Sequence, residues 1–74
     1  MHIHIIMDRT GDTRHEFDLD DVAAVARAET RFRDLTLRGF RAVALGKHGG
    51  PGKLLTKFNR EAEEVLFIPQ LQGG

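Results

Sequence analysis

The chain has 74 residues, of which 41% are hydrophobic and 30% charged, and its 11 basic and 11 acidic residues give a net charge of zero. This size and composition predict one small soluble domain. Because the chain has no cysteine, disulfides and thiolate metal sites are excluded. The charge balance gives no reason to expect nucleic acid or an anionic membrane as a partner.

The N-terminal part of the chain alternates in two segments. Residues 1–9, MHIHIIMDR, have a period of two, which predicts a strand. Residues 13–19, TRHEFDL, alternate again, and the intervening TGD supplies Gly11, which can adopt a positive φ. Together the two segments predict an N-terminal β-hairpin.

The register of this hairpin follows from matching its apolar faces. We expect Ile5 to lie opposite Phe17 and Ile3 opposite Leu19, which sets His4 opposite Asp18. By this parity His15 points to the face opposite His4. His2 and His4 share a face, but without a third ligand on that face no metal site is expected.

A long helix is predicted over residues 18–39. Asp18 or Asp20 can cap its N-terminus, and Gly39 suits a left-handed C-terminal cap. Apolar residues recur at spacings of three and four and form one stripe that should face the core: Val22, Val25, Ala28, Phe32 and Leu35.

The C-terminal half predicts two further strands separated by irregular chain. Residues 41–45, RAVAL, form a short strand, and the four glycines and the proline of residues 46–52 predict a loop. Residues 53–59, KLLTKFN, are interpreted as a short helical turn or an irregular stretch. Residues 63–68, EEVLFI, form the last strand, and its pairing should stop at Pro69, which has no N–H to donate.

This order of elements predicts an α+β fold with a mixed sheet of four or five strands wrapped around one long helix. That is the order of the β-grasp fold. We place the domain at residues 1–68, followed by a flexible tail over residues 69–74, PQLQGG.

The same residues resemble the ubiquitin family along the whole chain. MHIHIIMDRTGDT is similar to the first hairpin of ubiquitin, and RAVALGK resembles its third strand and the lysine that follows. GKLLTKFN resembles the segment before the last strand, and EEVLFIPQLQGG resembles the last strand with its diglycine tail.

The resemblance implies a protein modifier, not itself an enzyme, whose reactive group is the carboxylate of Gly74. In this family an ATP-dependent activating enzyme adenylates that carboxylate, a thioester forms, and a conjugating enzyme passes the acyl group to a target protein. A deconjugating protease reverses the linkage. Gly73 and Gly74 have no Cβ to obstruct a narrow active site. The activating enzyme would recognise the preceding residues: Pro69, Gln70, Leu71 and Gln72.

Differences from ubiquitin refine these expectations. Because glutamines stand where the ubiquitin tail carries arginines, we expect a dedicated activating enzyme. The interaction patch of ubiquitin maps onto Val43 and Ile68, with Leu66 at its histidine position and Arg9 near its hairpin leucine. Of the chain-forming lysines, Lys47 is retained. The implied setting is a bacterial conjugation pathway, and some pathways of this kind serve antiviral defence.

Two alternatives remain open on the sequence. Sulfur carrier proteins share the fold, the tail and the adenylation step but end as a C-terminal thiocarboxylate. A β-grasp interaction domain would instead bind through its sheet surface and make no use of the tail. In each case we expect no cofactor, a monomer when unconjugated, and a cytoplasmic location, because no apolar run could span a membrane and no secretory signal is present.

Overall fold

The computed structural model of the protein describes residues 1–46 and 52–70. Lys47 to Pro51 and Leu71 to Gly74 lie outside the described residues. Five strands and one helix follow in chain order: β1 (His2–Asp8), β2 (Gly11–Phe17), α1 (Val22–Leu37), β3 (Phe40–Ala44), β4 (Lys53–Leu55) and β5 (Glu64–Pro69).

The strands form one mixed sheet in the order β2-β1-β5-β3-β4, and α1 packs on one face of it. Strands β1 and β5 run parallel, whereas the other neighbouring pairs are antiparallel. We call the face that carries α1 the inner face and the opposite one the outer face. The expected α+β class, with one helix packed on a mixed sheet, is confirmed.

The core lies between α1 and the inner face. Phe32 and Leu35 from the helix meet Ala42, Val65 and Phe67 from the sheet, and each is at most 5% exposed. The rings of Phe32 and Phe67 pack edge to face with centroids 5.7 Å apart. Burial of each large apolar side chain contributes about 1.5–3 kcal/mol, so this cluster supplies much of the stability of a small domain.

The predicted register of the hairpin is wrong. His4 pairs with His15, Ile5 with Arg14, and Phe17 with His2. The turn sets this register: Oδ1 of Asp8 accepts hydrogen bonds from the backbone N–H and the hydroxyl of Thr10, at 2.8 and 2.6 Å. A two-residue loop results, and the hairpin closes earlier than the apolar pattern suggested.

The register also changes which residues of β1 share a face with Phe17. His4, and not Ile5, lies on that inner face and is 1% exposed, Ile6 packs against the core, and Ile5 lies on the outer face. His15 therefore shares a face with His4, contrary to the expected parity. Adjacent apolar residues at positions 5 and 6 place one apolar side chain on each face of β1.

Helix α1 agrees with the prediction except at its start. The N-cap is Asp21, whose carboxylate accepts from the backbone N–H of Ala24 at 3.1 Å, not Asp18 or Asp20. Val22 then falls in the first turn at 81% exposure and leaves the predicted apolar stripe. Gly39 has a φ of 97°, as expected after a helix C-terminus. No helix in the described ranges has the length and apolarity needed to cross a membrane.

The end of the chain departs from the prediction in two places. Residues 53–55 form the edge strand β4 and not a helical turn. Strand β5 includes Pro69, which faces Phe40, and the backbone N–H of Gln70 donates to the carbonyl oxygen of Gly39 at 3.1 Å. Strand pairing thus continues through Pro69 and does not stop before it.

Candidate functional site

The predicted interaction patch lies on the outer face of the sheet. Directly paired residues of neighbouring strands point to the same face, so the pairings of Val43 with Leu66 and of Leu66 with Ile5 place all three side chains together. Ile68 follows Leu66 by two residues on β5 and shares its face. On the other side of Val43, its partner on β4 is Leu54.

We call Ile5, Val43, Leu54, Leu66 and Ile68 the outer patch. Its margins are the accessible part: Leu54 is 55% exposed and Ile68 41% exposed. Val43 and Leu66 are half-buried, and Ile5 is buried between its neighbours. Exposed apolar residues grouped on one sheet face are typical of a surface that binds another molecule.

Two members of the outer patch were not predicted. Ile5 was expected to share a face with Phe17, and Leu54 was placed in a short helical turn or an irregular stretch. Two dipeptides of the sequence, Ile5–Ile6 and Leu54–Leu55, could have indicated these two members. Two consecutive apolar residues in a strand place one apolar side chain on each face of the sheet.

Gly52 restricts the middle of the outer patch. A Cβ at this position would collide with Cγ1 of Val43, so the backbone that leads into β4 lies directly against the Val43 side chain. Part of Val43 is therefore covered from within the molecule. Gly52 does not cover Leu66 or Ile68, the two predicted patch residues on the neighbouring strand β5.

The remaining predicted patch residues stand apart or outside the described part. Arg9 is exposed in the turn between β1 and β2, beyond the last paired residues Asp8 and Gly11. The hydrogen bonds from Thr10 lower the pKa of Asp8, so a carboxylate accompanies Arg9 at this end of the molecule. Lys47 lies outside the described residues.

The predicted tail begins at a firmly held strand. β5 is flanked by β1 on one side and β3 on the other, so it is hydrogen-bonded along both edges. Its last residue is Pro69, and the hydrogen bond from Gln70 to Gly39 fixes the chain one residue further. Leu71, Gln72, Gly73 and Gly74, which complete the predicted activation site, lie outside the described residues.

His2, His4 and His15 lie on the inner-face side of the hairpin. His4 contacts the rings of Phe17, Phe58 and Phe67, at centroid distances of 5.0, 6.1 and 5.1 Å. Burial, followed by the positive charge of Arg31, lowers the pKa of His4 to about 4, so its ring is neutral at pH 7. Over residues 1–46 and 52–70, no group of three histidine or acidic side chains could hold a metal ion.

Comparisons with family models, with curated proteins and with solved structures gave no match to this chain.

Proposed function

We propose that the protein is a ubiquitin-like modifier with a β-grasp fold, conjugated to targets through Gly74. The main observation in support is the position of β5, a central strand of the sheet that leads directly into residues 70–74. The sheet order β2-β1-β5-β3-β4, with β1 and β5 parallel and α1 between β2 and β3, is similar to the arrangement of ubiquitin.

A central strand suits this role because a reactive tail must be presented from a rigid base. β5 contributes Val65 and Phe67 to the core, 1% and 0% exposed, and is paired on both edges. A force on the tail would therefore act on a strand that is paired along both edges and packed in the core. Binding energy gained by an enzyme on the tail would then position the terminal carbonyl without unfolding the sheet.

The chemistry at Gly74 would take three steps. The carboxylate oxygen attacks the α-phosphorus of ATP, giving an acyl adenylate and releasing pyrophosphate. A cysteine thiolate of the activating enzyme displaces AMP and forms a thioester, which is passed to the conjugating enzyme. A target amine then attacks the carbonyl carbon, an amide bond forms, and the thiol is released. No side chain of this chain is needed as an acid, a base or a nucleophile.

The proposal is tested with ATP and an extract of the native host. The intact mass of the protein isolated from that host first establishes whether its mature end is Gly74. A tagged chain ending at Gly74 should then form ATP-dependent adducts, whereas a chain ending at Gln72 should form none. Since Arg60 is the last basic residue, trypsin should leave residues 61–74 attached to each acceptor, which mass spectrometry identifies.

Two outcomes would contradict the modifier proposal. Equal adducts from the chain ending at Gln72 would show that the diglycine is not the point of attachment. A terminal oxygen replaced by sulfur in the isolated protein, with no adducts, would indicate a sulfur carrier instead.

The outer patch favours a second candidate, a non-conjugated interaction domain. Leu54 and Ile68 are apolar and more than a third exposed on one sheet face. In this case Ile68→Asp should abolish co-purification of a partner from the host extract, whereas removal of residues 71–74 should leave it unchanged. Thr30→Asp, at an exposed residue of α1 outside the outer patch, is the matched control for one added negative charge.

A further inference from the structure

Arg31 on α1 is a half-buried cation that has no carboxylate partner within residues 1–46 and 52–70. Its guanidinium reaches across the inner face to Nδ1 of His4, 3.4 Å away. The ion pair between Asp12 and Arg14 does not involve Arg31. A guanidinium removed from water normally gains a carboxylate or phosphate partner, so Arg31 has unused capacity to bind an anion.

His4 holds Arg31 in a defined orientation. Because arginine only donates hydrogen bonds, Nδ1 of His4 must accept, which leaves the ring neutral with its proton on Nε2. The ring itself is 1% exposed and fixed among aromatic side chains, so it cannot move away. This hydrogen bond uses one N–H of the guanidinium and leaves its other N–H groups to bind a further acceptor.

Cationic neighbours act on both His15 and Arg31. Burial, followed by the positive charge of Arg31, lowers the pKa of His15, which lies half-buried on the inner face of β2. Burial, followed by the charge of Arg27 one helical turn earlier, lowers the pKa of Arg31 itself. The carboxylates of β2 do not offset this, because Asp12 and Glu16 alternate with the inward-facing residues and point to the outer face.

We propose that Arg27, Arg31 and His15 form a docking site for a carboxylate on an acidic segment of a partner protein. We call it the α1–β2 cleft. A planar guanidinium anchored along one edge suits the two oxygens of a carboxylate. β2 is an edge strand, so an extended segment can approach along its open side and bring several acidic residues to the cleft. This site lies on the inner-face side and is independent of the outer patch and the tail.

The test uses a short peptide of consecutive glutamates, with a glutamine peptide of equal length as the uncharged control, at constant ionic strength. Nuclear magnetic resonance should show saturable shifts of the Arg31 Nε–H and the His15 ring with the glutamate peptide alone. Arg31→Gln should weaken binding roughly tenfold, since a hydrogen-bonded charge pair is lost. Arg33→Gln, at an exposed residue of the same helix, is the matched control and should change binding less than twofold.

Three results would overturn the proposal. The first is the absence of saturable shifts, and the second is an equal loss of binding in Arg31→Gln and Arg33→Gln, which would indicate a diffuse charge effect. The third is saturation by inorganic phosphate but not by the peptide, which would indicate a free-anion site. The positioning role of His4 is tested separately with His4→Phe, which should weaken peptide binding while the melting temperature confirms the fold.

Discussion

His4 is fixed in the core by aromatic contacts and by one hydrogen bond. Phe17, Phe58 and Phe67 surround its ring, and Arg31 donates to Nδ1. A proton added to this ring would place a positive charge in an apolar environment beside a guanidinium. Burial therefore opposes protonation most strongly, followed by the charge of Arg31, and the pKa falls to about 4.

This shift predicts an acid-sensitive fold. The pKa of His4 is about 4 in the folded state, whereas its ordinary value is 6.5. Between these two pH values the unfolded chain therefore binds more protons than the folded protein. The stability associated with neutral His4 is complete above pH 6.5 and is lost as the pH falls towards 4, by about 3 kcal/mol in total. The pKa of His15 is also lowered, so His15 adds to the acid sensitivity in the same direction.

Urea unfolding between pH 4 and 7 measures this effect. His4→Phe should remove most of the pH dependence, because a phenylalanine keeps the aromatic packing and cannot take up a proton. His15→Gln is the control for the neighbouring ring and should remove a smaller part. A stability of His4→Phe that falls with pH as steeply as that of the natural chain would assign the effect to other groups.

At the scale of elements, hydrophobic periodicity predicted those that are long and amphipathic. α1 was recognised because its three buried residues, Ala28, Phe32 and Leu35, keep helical spacing. The hairpin was recognised but misaligned, since its register was derived by matching the apolar residues of the two strands. Local hydrogen bonds between Thr10 and Asp8 decided the register, and apolar matching could not reveal them.

Strand β4 was missed for a different reason. Three residues are too few to show a period of two. β4 forms because it pairs with the edge of β3 that β5 leaves free. Leu54 was missing from the predicted patch for the same reason. It joins Val43 and Leu66 only through the pairing of β4 with β3. Tertiary contacts, which single-sequence patterns do not contain, thus complete both the sheet and the candidate site.

The two leucines of β4 provide a matched prediction. Leu55 packs against the core, whereas Leu54 is 55% exposed on the outer face. Leu55→Thr should reduce the free energy of unfolding by about 2 kcal/mol, and Leu54→Thr should change it by less than about 0.5 kcal/mol. Threonine favours strands at both positions, so only burial differs. Equal losses in urea unfolding would contradict the strand assignment or its facing.

At the scale of the whole molecule, the sheet separates three regions with different properties. The inner face carries the core and, at its β2 side, the α1–β2 cleft. The outer face carries the outer patch, and β5 connects both faces to the predicted tail. Because β5 is paired on both edges, the tail leaves the sheet at a point fixed by the backbone and not by a flexible linker. Within the described residues, the contact nearest the C-terminus is the hydrogen bond from Gln70 to Gly39.

This exit contact yields a prediction that separates folding from the proposed activation of the tail. Gln70→Pro removes the backbone N–H that donates to Gly39, whereas Gln70→Ala keeps it. Loss of one hydrogen bond at the exposed end of β5 should lower the free energy of unfolding by about 1 kcal/mol in the proline variant alone. The direction in which the tail leaves the sheet should change as well.

If the activating enzyme binds the tail in the direction set by β5, Gln70→Pro should slow ATP-dependent adduct formation at least tenfold. The reason is that misplacement of the reacting group greatly lowers the reaction rate. Gln70→Ala should slow it less than threefold if the side chain adds only a surface contact. Adduct formation is measured with both proteins at a temperature where circular dichroism shows them fully folded. Equal rates for the two variants would show that the enzyme captures the tail without using the contact between Gln70 and Gly39.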